Sequence, residues 1–215
     1  LGGLVSTFAH FESTEFLEIF GGKPALDRVE SLLYSVVLRE ERAPMPIHLI
    51  DIKTTKALNS TKQFSITGAD LYPLLDARQY EVFAFPVQHR GPGNFGYEFR
   101  ERTHRPFLVE NAEAIGVPPG PERGQLVRGR PVTLADGRVI QPADVLGSEV
   151  AGTKLVIMAD VGRVDNLADQ CRDADTLVIE ATFLDDHAEE ARAFGHITAR
   201  MAAELAVKAN VKSLI

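Results

Sequence analysis

Three runs of this chain are almost free of polar residues, and each one stops at a side chain able to do chemistry. "QYEVFAFPV" (79–87) alternates, with Tyr80, Val82, Ala84 and Pro86 facing one way and Glu81, Phe83, Phe85 and Val87 the other. Both sets are mostly apolar, the pattern of a strand covered on both faces. "TKLVIMAD" (153–160) and "TLVIEATF" (176–183) read as further buried strands. A short helix is expected around 164–172. A longer one is expected over 198–209, where Met201, Ala202, Leu205 and Ala209 share a face. "VKSLI" at 211–215 opens another strand. Strand–helix–strand–helix–strand predicts a helix-covered sheet, hence the α/β class.

Upstream, Pro24 suits the first turn of a helix whose apolar positions Leu26, Val29, Leu32, Leu33 and Val36 recur at helical spacing. "IHLIDIK" (47–53) and "KQFSITGAD" (62–70) read as strands. Residues 100–147 break the pattern, being rich in Pro, Gly and Arg, with a hairpin signal at Asp136-Gly137. So long a stretch is an insertion rather than a loop, and its thin apolar content predicts a protruding, mobile arm. The chain thus divides into a first core segment (1–99), an arm (100–147) and a second core segment (148–215).

Composition narrows the function. At 215 residues, 45% of them hydrophobic, the chain can build a real core. Its net charge of −7 gives no overall basic field, so any nucleic-acid contact must be local. One local exception exists: Arg123, Arg128, Arg130 and Arg138 face a single acid, Asp136, between positions 123 and 138. Cys171 is the one cysteine, which excludes an internal disulfide and a Cys-rich zinc cluster. A single thiol and no signal-like segment predict the cytoplasm, and no apolar run approaches membrane-spanning length. The chain begins without Met and ends on an apolar strand, so a piece of a longer protein is expected.

His89, Asp160, Glu180 and His196 each stand at a strand end or a helix start. In helix-covered sheets chemistry gathers at the carboxyl ends of strands, and imidazole and carboxylate are the usual ligands of zinc-like ions. Pattern alone leaves plainer structural roles open. His89 could be a turn histidine, Asp160 a helix N-cap, and His196 a residue just ahead of a helix with Thr198 as its cap. Glu180 is harder to assign to packing, because a carboxylate after three apolar strand residues is costly to bury unpaired.

These residues carry a resemblance. "FPVQHRGPGNFGYEF", "VIMADVGRVDNL", "LVIEATF" and "GHITARMAAELA" resemble, in order, segments of the ribonuclease Z family, the tRNA three-prime-processing endonucleases of the metallo-β-lactamase superfamily. "AIGVPPGPERGQLVRGRPVTLADGRVIQPADVLG" is similar to that family's Gly-Pro-rich arm, and "LGGLVSTF" to the run after its His-x-His-x-Asp-His motif. The resemblance implies part of an αββα sandwich with a protruding arm insertion. It implies His89 and Asp160 as ligands of two zinc ions, His196 as the residue assisting the leaving group, and Glu180 as its orienter. It also implies Arg123, Arg128 and Arg130 as contacts to precursor tRNA, and a homodimer. The His-x-His-x-Asp-His motif is not in this chain, so these residues alone are expected to be inactive and to bind zinc poorly. Arg90 stands where the family has Gly, and Val161, Ile179 and Ile197 stand where it has Thr, His and Ser. The alternatives are another hydrolase of the superfamily, acting on a phosphodiester or sulfate ester, or a non-catalytic RNA-binding relative.

Overall fold

A computed structural model describes residues 1–8, 15–38, 45–52 and 71–215. The strand expected at 62–70 lies outside the described residues. In chain order the elements begin with α1 (Gly2–Phe8), β1 (Leu17–Gly21) and α2 (Lys23–Leu32), which runs on into a π-turn at Leu33–Val37. Then come β2 (Ile47–Asp51), β3 (Tyr72–Asp76), β4 (Tyr80–Pro86) and β5 (Phe95–Glu101). A middle stretch holds α3 (Val109–Ala114), α4 (Pro121–Val127), β6 (Val132–Thr133), β7 (Val139–Ile140) and α5 (Pro142–Val145). The tail holds β8 (Lys154–Met158), α6 (Ala168–Cys171), β9 (Thr176–Ile179), α7 (Ala188–Phe194) and α8 (Ala199–Lys208).

The chain forms two compact units, Leu1–Arg100 with Lys154–Ile215, and Glu101–Thr153. In the first, β1 and β2 pair in parallel, and β3-β4-β5-β8-β9 form a five-stranded sheet. Strand β5 runs antiparallel to β8, whereas β8 and β9 are parallel, in register Met158 to Ile179. The final residues continue this edge, as Leu214 bridges Leu177 in parallel and Ile179 N–H donates to Ile215 O at 3.0 Å.

Side-chain alternation sets the layers. On β4, Val82 and Ala84 join Leu74, Ile52 and Phe20 in a cluster between the two sheets. Phe85 and Val87 point the other way, into the largest core, with Val156, Met158 and Leu177 from the sheet, Cys171 from α6, and Ala202 and Leu205 from α8. Helices α1 and α2 cover the two-stranded sheet through Val5, Leu26 and Leu33 against Ile47 and Leu49. The order is helix, sheet, sheet, helix. Leu32 and Val36, expected on the buried face of α2, are instead exposed: Leu32 lies about 120° round the helix from Leu26, and the π-turn at Leu33–Val37 shifts the helical phase before Val36. Close packing within the sheet depends on Gly96. A Cβ there would lie 2.5 Å from Phe85 Cζ and 2.9 Å from Met158 Cγ.

The unit Glu101–Thr153 has a core of its own, made of Ala112, Val117, Leu126, Val132, Ile140 and Val145. That is more packing than its Pro and Gly content led us to expect. The hairpin forms as expected: Val132 pairs with Ile140, and Gly137 takes φ +86° at its tip, a backbone conformation that favours glycine. Arg123 holds this unit from inside. Its guanidinium donates to Val117 O at 2.9 Å and 3.3 Å and sits 5.7 Å over the Phe107 ring. Arg138 likewise donates to Ile115 O and to Asp136. Arg128 and Arg130 are exposed and have no ion pair among the described residues.

Candidate metal centre

Asp160 lies just past the carboxyl end of β8 and Glu180 just past that of its parallel neighbour β9. Parallel pairing therefore delivers both carboxylates to one edge of the sheet. His89 follows β4, and a bridge between Gln88 and Arg163 fastens its loop to the segment after β8, with Gly162 N–H donating to Gln88 O at 2.5 Å. His196 sits between α7 and α8. Gly195, with φ +74°, ends α7 and turns the chain toward the site, and Thr198 caps α8 by accepting from Met201 N–H at 3.3 Å.

The four side chains expected from the sequence converge. His89 Nε2 is 4.0 Å from Asp160 Oδ2. The His89 and His196 ring centroids are 5.0 Å apart. Asp160, Glu180 and His196 each offer a ligand atom, all within 4.8 Å of one another, so the group could hold a metal ion. Asp160 caps no helix; its side chain is 67% exposed and faces the site.

Each imidazole is held from behind. His89 Nδ1 lies 2.6 Å from the Gly195 carbonyl, which can only accept, so Nδ1 carries a proton and Nε2 is the ring atom that faces Asp160. His196 Nδ1 lies 2.8 Å from Glu180 Oε1, which fixes the opposite face of that ring for chemistry. Glu180 is itself saturated: Val161 N–H donates to Oε1 at 2.8 Å and the Thr182 hydroxyl to Oε2 at 2.6 Å. Burial alone would raise its pKa, but these bonds, led by that from Thr182, hold it below the ordinary carboxylate value. A carboxylate so occupied orients its neighbour better than it binds a metal, whereas Asp160 and His89 Nε2 suit a divalent cation.

Val161, Ile179 and Ile197 are buried in the main core, so these positions contribute packing rather than polar side chains. Beside the Thr182 hydroxyl, polar support comes from places that sequence reasoning passed over, namely the Gly195 carbonyl and the Val161 N–H. Neither has a side-chain signal, although the glycine directly before His196 marks where the chain turns. Phe183 flanks the site, with its ring 6.2 Å from His196 and stacked on Phe194.

No protein-family profile matches the chain. It is 38% identical over 213 residues to the ribonuclease Z of Bradyrhizobium diazoefficiens, covering 99% of this chain and 65% of that protein. It is 34% identical over 227 residues to that of Myxococcus xanthus, covering 97% and 67%. The chain therefore spans about two thirds of the length of these relatives. Among solved structures, the human tRNase Z short form aligns with a TM-score of 0.50 at 21% identity, over 100% of this chain and 64% of that one. A metallo-β-lactamase-fold protein, YhfI of Bacillus subtilis, aligns at 0.52 and 13% identity, over 99% and 56%. The fold is thus that of the metallo-β-lactamases.

Proposed function

The chain belongs to the ribonuclease Z family, and on that premise we propose that its protein is a zinc-dependent endoribonuclease that removes the three-prime trailer of precursor tRNA. One observation carries the reading: two imidazoles with opposite duties, each oriented by its own acceptor. His89 Nε2 and the Asp160 carboxylate, 4.0 Å apart, would hold the metal. When bound, such ions supply Lewis acidity and lower the pKa of water beside a phosphodiester. His196, kept upright by Glu180, would take a proton on Nε2 from the attacking water as the water oxygen bonds to phosphorus, and pass it to the ribose oxygen that departs as the P–O bond breaks. Glu180 stays ionised and stabilises the positive ring that the proton passes through. Phe183 and Phe194 limit water on one side of His196.

Arg128 and Arg130 are the arm residues best suited to meet tRNA phosphates, since Arg123 is occupied with Val117 and Phe107. A cytoplasmic homodimer belongs to the same reading; the exposed Leu4, Leu32 and Val36 offer it apolar surface. Residues 1–215 carry only part of the expected ligand set, and a catalytic zinc takes roughly three protein ligands plus water. Alone, they should bind zinc weakly and leave RNA uncut.

The test is cleavage of a precursor tRNA by the full-length protein, with zinc measured by elemental analysis. Replacement of Asp160 by Ala should remove both metal and cleavage. His196→Ala should keep the metal and lose cleavage. Full activity in either variant would refute the assignment.

A further inference from the structure

Beside the metal centre, and sharing His89 and Gly195 with it, lies a hollow of about 240 Å³ whose walls include Arg90, Arg163 and Arg192. At roughly 30 Å³ per water, that volume takes a phosphate group with several waters around it. The Arg90 guanidinium carbon lies over the Phe194 ring, 5.3 Å from its centroid, a cation–π contact that favours this position for the cation. Arg192 lies in the last turn of α7 and has no ion pair among the described residues. Arg163 is neutralised by Asp165 at 3.1 Å, so the hollow keeps two uncompensated cations.

Two uncompensated cations next to residues that suit a metal cation are a cost, because like charges repel there and weaken metal affinity. An anion seated between them removes that cost. Guanidinium forks match phosphate oxygens, and the anion at hand is the substrate's own backbone. We propose that Arg90 and Arg192, assisted by Arg163, form a subsite for the RNA phosphate adjoining the one that is cut. This rests on the nuclease reading above. Arg90 then contributes to specificity, tightening the grip on a strand that continues past the scissile bond.

The experiment uses the zinc-loaded full-length protein, an Arg90→Gln/Arg192→Gln double variant, and two substrates. One is precursor tRNA; the other is thymidine 5′-monophosphate p-nitrophenyl ester, whose single phosphodiester cannot fill both places. The double variant should raise KM for the RNA about tenfold, with kcat within about twofold. It should flatten the log KM against log salt slope by roughly 0.7, the value of one single-strand phosphate. The KM increase for the small ester should be at least about fivefold smaller, and Arg90→Lys should recover the salt slope. In a separate measurement on the wild-type protein, inorganic phosphate should shift the side-chain Nε–Hε NMR signals of Arg90 and Arg192. An RNA KM within twofold of wild type, equal losses on both substrates, or unmoved arginine signals would each overturn the subsite. If the wild-type protein cuts no precursor tRNA, the nuclease reading fails instead. The phosphate titration then decides the hollow alone, with shifted signals upholding an anion site and unmoved signals ending it.

Discussion

Glu180 offers a graded test of how the site works. Its Oε1 accepts from both Val161 N–H and His196 Nδ1, and its Oε2 from Thr182. Glutamine can keep Oε1 as the shared acceptor and turn its amide toward Thr182, whose hydroxyl can rotate to accept. Glu180→Gln therefore removes charge but little geometry. Charge-assisted bonds are about twice as strong as neutral ones, so the loss at His196 is about 1–1.5 kcal/mol, roughly tenfold in rate. Glu180→Ala removes all three acceptors. The Val161 N–H is then unpartnered in a region where Val161 itself is fully buried, a cost of about 1–3 kcal/mol in stability. The His196 ring also loses its tautomer, and cleavage should slow by about 10²–10⁴. Single-turnover cleavage of precursor tRNA by the full-length protein measures the rates, and urea unfolding measures the stabilities. Imidazole nitrogen chemical shifts should report Nδ1–H at His196 in wild type and Gln, and a mixture in Ala. If Gln and Ala slow cleavage equally, or Ala leaves the tautomer unchanged, Glu180 does not orient His196.

Gly96→Ala forces a methyl against Phe85 and Met158 and should cost about 1–3 kcal/mol of overpacking; Phe85→Leu in the same chain should return part of it, as read by a double-mutant cycle in thermal unfolding. Burial raises the Cys171 thiol to about 11, above its unfolded value, so its contribution to stability is complete below the unfolded pKa and is lost as pH rises toward 11. Aromatic-disulfide titration at pH 8 should accordingly find it unreactive until the protein unfolds. Arg128→Ala with Arg130→Ala should weaken precursor tRNA binding and reduce the salt slope by roughly one unit for each phosphate no longer neutralised, with little change in stability. Arg123→Ala should do the reverse, destabilising the Glu101–Thr153 unit because Val117 O and Phe107 lose their partner.

The contrast between Arg123 and Arg128 shows what a sequence can and cannot say about this molecule. Strands β8 and β9 were legible because unbroken apolar runs leave one covered-sheet solution, and Glu180 stood out as a carboxylate inside such a run. The cap at Thr198 was legible because capping is local. Helix α7 was missed, since "AEEARAF" has a single fully buried position, Ala191, and so a weak apolar stripe. Charge clustering in the arm marked four arginines alike, yet a guanidinium turned inward onto a carbonyl and a ring has the same letter as one turned to solvent. The metal centre divides in the same way. Its four side chains were visible as residues at a strand end or a helix start, but the tautomer of His89 depends on a carbonyl 106 residues away, and that of His196 on a carboxylate 16 residues away. This chain buries Val161, Ile179 and Ile197 in the core and supports the centre with the Gly195 carbonyl, the Val161 N–H and the Thr182 hydroxyl. Backbone donors and acceptors survive any substitution that preserves the fold. The centre can therefore tolerate apolar residues at positions 161, 179 and 197 so long as Gly195, the turn after β8 and Thr182 hold their places, which makes the loop geometry a feature on which its chemistry depends.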